Sequence, residues 1–223
     1  MDDVDGLATP NESILLPADD TVYQHDATGC FESTVFERFQ FVADNVMFMM
    51  SLAATVFNVA VVLCAIKLFR KGGDTVHLFI ISMTLGDLIL TTFCIPNEFL
   101  MRKSDFFKQT ELCSVRHFGN WLGLAASGLS LTMLNVDKLI FFQWPLSYDR
   151  AMSSMRAGLF CIAIWLLAFS YVSYVWYAGV VWIEHDCSLQ LTKGIVIPFY
   201  ELFIFFFCIL PVTSSLFVSI YLY

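Results

Sequence analysis

Residues 46–66, VMFMMSLAATVFNVAVVLCAI, run for 21 positions without a charged side chain. A bilayer core about 30 Å thick requires about 20 apolar residues in an α-helix, so this stretch predicts a membrane-spanning helix. Four further segments have the same character, and the only acid within them is Asp87. With the helix ends included, we expect spans over about 42–69, 76–100, 113–142, 156–183 and 195–223. The predicted fold is therefore an all-α membrane protein, a bundle of five transmembrane helices within residues 38–223.

The composition supports a membrane protein. Of the 223 residues, 58 % are hydrophobic and 14 % are charged, whereas soluble domains have about 45–50 % and 25 %. The net charge of −8 arises from residues 1–37, which hold nine acids and no Lys or Arg. Such a segment, without apolar periodicity, predicts a disordered acidic tail. We expect no cleavable signal peptide, and the absence of a basic patch argues against nucleic-acid binding.

The orientation of the bundle follows from the tail. With the N-terminus outside, the inner and outer loops carry six Lys or Arg each, so the positive-inside rule gives no preference. Asn11 begins a glycosylation sequon, Asn-Glu-Ser, which is useful only on the lumenal side. An acidic tail without Lys or Arg is also readily translocated. We therefore predict an extracellular N-terminus, with Asn11 as a glycosylation site.

Asp87 lies near the middle of the second span, where a carboxylate costs about 2.5–3.5 kcal/mol on insertion scales. Two interpretations account for it: a cation or proton site, or a buried acid satisfied by polar neighbours. Asn58 in the first span and Ser127 in the third lie at a similar depth. Together the three residues could hold Na⁺ through oxygen ligands. We expect no other metal and no cofactor.

The cysteines differ in depth. Cys113 and Cys187 are predicted on the outer side, one at the start of the third span and the other in the loop after the fourth. Both face an oxidising compartment, where a disulfide persists. Cys30, in the tail, has no evident partner. The four histidines are scattered, and no nucleophile, paired-carboxylate or phosphate-loop signature occurs, so an enzyme is not predicted.

Several motifs taken in order resemble the rhodopsin-like G protein-coupled receptors. The resemblance covers about residues 38–223, and its anchors are Asn58, Leu85-Gly86-Asp87-Leu88, Cys113 with Cys187, Asp137-Lys138-Leu139 followed by Pro145-Leu146-Ser147-Tyr148, Trp165 and Pro211. It implies part of a seven-helix receptor fold and a disulfide between helix three and the following outer loop. It also implies a multi-pass protein of the plasma membrane that contacts the bilayer, a heterotrimeric G protein and in some cases a second receptor.

The sequence also departs from the family pattern. Lys138 stands where the family has Arg, Leu139 where it has Tyr, and Ser219 where the fifth helix usually has Tyr. Arg offers a rigid fork of donors that Lys lacks. The resemblance places the G-protein face at Asp137, Lys138, Phe142 and Pro145. Because no sixth or seventh helix follows Tyr223, we expect an incomplete receptor chain or a five-span isoform that negatively regulates the full-length receptor.

The resemblance also implies an outer ligand pocket. Monoamine receptors carry an Asp on helix three where this chain has Asn120, so a salt bridge to an amine is not available there. An acidic tail and rim would attract a basic or amidated peptide, and we expect a neuropeptide ligand. The expected pocket residues are Asn97, Glu98, Asn120, Trp121, Leu124 and Glu201.

One alternative lies outside the receptor family: a small transporter or proton channel centred on Asp87. Transporters commonly contain inverted repeats and broken helices. This sequence has no internal repeat, and five spans do not divide into two halves.

Overall fold

The structure is a computed structural model, and it describes residues 34–104, 110–184, 187–191 and 197–222. Within these ranges, five helices are long and apolar enough to cross a membrane. They form one bundle, which confirms the predicted fold class. The outer end of the bundle is the end that carries the start of the first helix, and the inner end is the opposite one.

Helix α1 comprises Thr34–Gly72. Its 39 residues extend over about 58 Å, which exceeds the thickness of a bilayer core. The helix ends at a glycine pair, where Gly73 has φ 73° and its N–H bonds to the Phe69 carbonyl. A left-handed residue after the last turn is a common helix terminator. The expected tail was wrong in its last residues, 34–37, because they continue the helix.

Helix α2 comprises Val76–Ile89, a π-helical turn Leu90–Cys94, and Ile95–Lys103. Pro96 cannot donate to the carbonyl one turn earlier, and the wider π turn immediately before it accommodates the missing bond. Helix α3, Thr110–Gln143, packs against α2 along its length and occupies the centre of the bundle.

A short helix α4, Pro145–Ala151, follows at the inner end. Helix α5, Ser154–Tyr177, begins where the Ser153 hydroxyl accepts the N–H of Arg156. The sixth helix, α6, comprises Ile197–Phe203, a π-helical turn Ile204–Ile209, and Leu210–Leu222. This second π turn precedes Pro211, as the first precedes Pro96.

The predicted fourth span, 156–183, was wrong at its outer end. Helix α5 ends at Tyr177, and Gly179 turns the chain with φ 64°. Strand β1, Val181–Ile183, then pairs antiparallel with β2, Leu189–Leu191. Val180 and Val181 are buried in the core cluster. The residues are apolar because the hairpin packs on the bundle, so hydropathy alone could not separate them from the helix.

Candidate functional site

A carboxylate–hydroxyl pair lies at mid-depth between α2 and α3. The Ser127 hydroxyl is 2.7 Å from Asp87 Oδ1 and 3.0 Å from the Met83 carbonyl, and it can donate to either. Two glycines permit this close approach. A Cβ atom on Gly86 would lie 2.8 Å from the Gly123 carbonyl, and one on Gly123 would lie 2.9 Å from the Gly86 carbonyl. The helices can bring Asp87 and Ser127 together because both positions lack a side chain.

The structure brings together two of the three residues expected to form the cation site, Asp87 and Ser127. Asn58 is half-buried on α1, and none of the described residues forms a hydrogen bond with its side chain. The carboxylate therefore has a hydrogen bond from Ser127 and none from Asn58. A role for Asp87, Ser127 and Asn58 in binding Na⁺ stays a prediction.

A second polar junction connects α2, α3 and α5. The indole N–H of Trp165 donates to Ser82 Oγ at 3.1 Å, and Ser82 Oγ lies 2.8 Å from Ser130 Oγ. Both serines are buried. Further along α3, the amide of Asn135 donates to the Ser214 hydroxyl on α6 at 2.9 Å. Sequence reasoning identified Trp165 by its motif but missed the serines and Asn135, because small polar residues in a span give no signal of what they face.

The predicted disulfide is confirmed at the outer end. Cys113 and Cys187 are bonded, with their Cα atoms 5.7 Å apart. The bond ties the hairpin to the start of α3. The Met101 sulfur lies 3.6 Å from the Cys187 sulfur, and His117 Nε2 lies 3.1 Å from the Cys187 carbonyl oxygen. The hairpin is thus held over the outer ends of α2 and α3.

A chain of ion pairs joins α1, α2 and α3 beside the disulfide. Arg102 contacts Asp44 at 2.8 Å and Glu98 at 2.7 Å, and Glu98 also contacts Arg116 at 3.5 Å. The Arg116 side chain is only 12 % exposed. Its Nε is buried without a hydrogen-bond partner among the described residues. Glu98, an expected pocket residue, is therefore already paired with two guanidinium groups.

The other expected pocket residues differ in accessibility. The Asn97 amide donates to the Phe93 carbonyl of its own helix. Trp121 is 7 % exposed, and its ring centroid lies 4.8 Å from that of Phe203 in the aromatic core between α3 and α6. Leu124 and Glu201 are exposed, and Asn120 is half-buried. Of the six expected pocket residues, Trp121 is therefore the buried one, and the other five are half-buried or exposed.

The inner end is organised around Asp137, which is 2 % exposed. Its Oδ1 accepts the Tyr148 hydroxyl at 2.9 Å and the Thr75 hydroxyl at 3.4 Å. Burial raises the pKa of the Tyr148 phenol, and the neighbouring Asp137 carboxylate raises it further. The phenol is therefore protonated at neutral pH, as a donor requires. Lys138 is exposed and makes no ion pair with Asp137 or any other described residue.

Apolar side chains surround this inner end. Phe142 and Pro145, both expected on the G-protein face, are exposed. Leu146, between Pro145 and Tyr148 on α4, is 100 % exposed. Pro145 is the first residue of α4, so it ends the connection from α3 and starts the inner helix. The arrangement presents an apolar knob on a short helix that Tyr148 anchors to the bundle.

Comparison with known proteins identifies the family. The model of the seven-transmembrane receptor (rhodopsin family) matches residues 57–223. Relatives include the galanin receptor 2b of Danio rerio, 25 % identical over 55 % of this chain and 34 % of its own length. The RYamide receptor of Tribolium castaneum is 28 % identical over 53 % of this chain and 33 % of its own length. The histamine H1 receptor of Cavia porcellus is 29 % identical over 55 % of this chain and 25 % of its own length.

The chain thus spans about a third or less of the length of these relatives. The family model, in contrast, covers about three quarters of the chain itself and includes both the Asp87–Ser127 pair and the inner end around Asp137. Its match extends through the disulfide and the last described helix. The chain therefore belongs to the rhodopsin family of seven-transmembrane receptors.

Proposed function

We propose that the chain functions as part of a G protein-coupled receptor that binds an extracellular peptide at its outer end and a heterotrimeric G protein at its inner end. The observation that carries this proposal is the inner helix α4. It exposes Leu146 completely while Tyr148, two residues later, anchors the helix to the buried Asp137. A rigid apolar knob beside Phe142 and Pro145 suits insertion into an apolar depression of a protein partner.

The orientation in the membrane is supported by the disulfide. A bond between Cys113 and Cys187 forms on the oxidising side of a membrane. Cys113 lies near the start of α3, and consecutive spans alternate in direction, so the start of α1 lies on the same side. This supports an extracellular N-terminus, a plasma-membrane location and cytoplasmic exposure of α4. Glycosylation of Asn11 remains a proposal and lies outside the described residues.

A peptide ligand is supported by the names of several relatives, which include galanin, RYamide and QRFP-like peptide receptors. Histamine H1 receptors are also among them. Asn120, however, offers no carboxylate to an amine. Glu201 does offer an exposed carboxylate. It follows Tyr200, whose ring centroid lies 6.3 Å from that of Trp121, the residue after Asn120. A basic or amidated peptide matches this combination better than a small amine does.

Family membership favours a receptor over a transporter or proton channel at Asp87. The receptor proposal is tested by expressing a complete seven-helix receptor that contains this chain, in cells with a resonance-energy-transfer sensor of G-protein dissociation. A panel of amidated peptides and biogenic amines is then applied. We expect a response to a peptide that Leu146→Asp abolishes without reducing the amount at the cell surface.

Ser147→Asp is the matched control for Leu146→Asp, since it adds the same charge to an exposed position of α4. It should preserve most of the response. Equal loss in both variants would mean that any charge on α4 disrupts coupling, and the specific role of Leu146 would be rejected. A response to amines alone would reject the peptide ligand.

A further inference from the structure

A cavity of about 640 Å³ opens at the inner end of the bundle. Its walls come from the connection between α1 and α2, the inner end of α3, the short helix α4 and the residues that begin α5. Sites for small molecules have volumes of about 300–1,000 Å³. The cavity is therefore large enough for a small organic ligand, and it lies beside the proposed G-protein face rather than at the outer end.

One carboxylate oxygen of a cavity-lining residue, Asp137, has no hydrogen-bond donor among the described residues. Asp137 lines the cavity although it is only 2 % exposed. Both hydroxyl groups that reach it, from Tyr148 and Thr75, contact Oδ1. None of the described residues donates a hydrogen bond to Oδ2. This oxygen therefore provides an unused acceptor for a cationic donor.

The remaining walls define the rest of the ligand. Asp74 is exposed and adds a second carboxylate, while Lys138 adds one ammonium group, so the charged residues of the lining sum to −1. Phe141, Val76 and Met152 supply apolar surface. One net negative charge together with apolar walls matches a monocation that has an apolar body.

We propose that this cavity binds a small organic monocation, whose ammonium or amidinium group donates to Oδ2 of Asp137 while its apolar body packs against Phe141 and Met152. The occupant contacts Phe141 of α3 and Met152 in the connection between α4 and α5, and through Asp137 it adjoins the Tyr148 anchor of α4. It would therefore stabilise the inner helix from its buried side. The site does not depend on an outer ligand or on a G protein, so it stands or fails separately from the proposed function.

The test uses the purified full chain in detergent micelles, with benzamidinium as the probe and benzamide as its neutral counterpart of the same shape. Binding is measured by saturation-transfer NMR and by the shift in thermal unfolding. We expect benzamidinium to bind at least about tenfold more tightly than benzamide, because hydrogen bonds to charged groups are the stronger class. Asp137→Asn should remove this difference.

Asp137→Asn could also disturb folding, so Asp74→Asn provides an independent variant at an exposed position. It should weaken benzamidinium binding severalfold and leave benzamide unaffected. Glu37→Gln, which removes an exposed acid at the outer end of α1, is the matched control and should bind as the unmodified chain does. The proposal is overturned if benzamide binds as tightly as benzamidinium, if Asp74→Asn has no effect, or if benzamidinium does not bind.

Discussion

Tyr148 donates its hydroxyl proton to Asp137 across 2.9 Å, and the same phenol oxygen lies 2.8 Å from the Thr75 hydroxyl. These contacts join the short inner helix α4 to α3 and to the start of α2. Asp137 contributes a charged acceptor that is almost completely buried. The Tyr148 ring also packs against Phe141, so α4 is held at the end of the central helix by this bond together with the packing of the ring.

Removing this bond should loosen the inner helix. We expect Tyr148→Phe to destabilise the chain by about 1.5–3 kcal/mol, because the lost bond is to a charged group and leaves the carboxylate less satisfied. Thermal unfolding of the purified chain in micelles measures the change. Tyr177→Phe is the matched control, since Tyr177 is 93 % exposed and should change the stability little. Equal unfolding temperatures for the two variants would contradict a role for the Tyr148 hydroxyl.

The contact between α2 and α3 should be intolerant of a methyl group. At Gly86, the added Cβ of alanine would lie 2.8 Å from the Gly123 carbonyl. We expect Gly86→Ala to cost about 1–3 kcal/mol, as overpacking does in well-packed cores. The free energy of unfolding in a mild detergent, titrated with a denaturing one, gives the measurement.

Gly158→Ala supplies the comparison for Gly86→Ala. A Cβ at Gly158 would meet nothing within 4 Å, and the residue lies inside α5. Alanine should therefore stabilise the helix by about 0.5–1 kcal/mol relative to glycine. Opposite signs for the two substitutions support close packing at Gly86. A stabilising Gly86→Ala would show that α2 and α3 are not in such close contact.

Some parts of this architecture could be predicted from sequence because their physical signal is local. Uninterrupted apolar runs indicate membrane spans, and an acid at mid-span indicates a polar partner nearby. The outer hairpin could not be separated from α5, because three-residue strands packed on a bundle have the same apolar composition as a helix end. The two π turns were also missed, although both precede a proline.

Pairings between helices were the less predictable part of the site. Glu98 and Arg102 are four residues apart on α2, so their pairing follows from helical spacing. Arg116 looks in sequence like a separate outer charge, and only the rotation of α2 and α3 brings it to Glu98. The same rotation buries Trp121 against Phe203, although its position in the sequence suggested an accessible pocket. Asp87 and Ser127 were correctly placed at one depth. Depth alone, however, could not show that Ser127 rather than Asn58 forms the hydrogen bond with the carboxylate.

The outer ion pairs should differ in their contribution to stability. Arg102 is largely accessible, so Arg102→Gln should cost about 1 kcal/mol or less. Glu98→Gln removes the carboxylate that pairs with the more buried Arg116. The Nε of Arg116 already lacks a partner among the described residues. The cost of Glu98→Gln should therefore be greater. Unfolding temperatures at low and high salt measure the cost of both substitutions. Salt should reduce mainly the cost of Arg102→Gln, because the accessible pair is the more strongly screened one. A larger effect of Arg102→Gln would reverse this order.

The disulfide should make a large contribution to the outer end. Cys113 and Cys187 are separated by 74 positions. In the chain-entropy model a loop of this size contributes about 4 kcal/mol, although the origin of such stabilisation is debated. Cys113→Ser with Cys187→Ser should lower the unfolding temperature to that of the reduced chain. Cys64→Ser, which replaces a free exposed cysteine, should not. The prediction would be contradicted if a reductant left the unfolding temperature of the unmodified chain unchanged.

Sodium should stabilise the chain through Asp87 if the carboxylate and Ser127 supply oxygen ligands for it. A ligand at ten times its dissociation constant stabilises the folded state by about 1.4 kcal/mol. We therefore expect the unfolding temperature to rise when NaCl replaces choline chloride at equal ionic strength. Asp87→Asn should abolish this rise, since a neutral amide is a weaker ligand for a cation, whereas Glu37→Gln should preserve it. A Na⁺ effect of the same size in Asp87→Asn would place the cation elsewhere, and Asp87 would then be an acid satisfied by Ser127 alone.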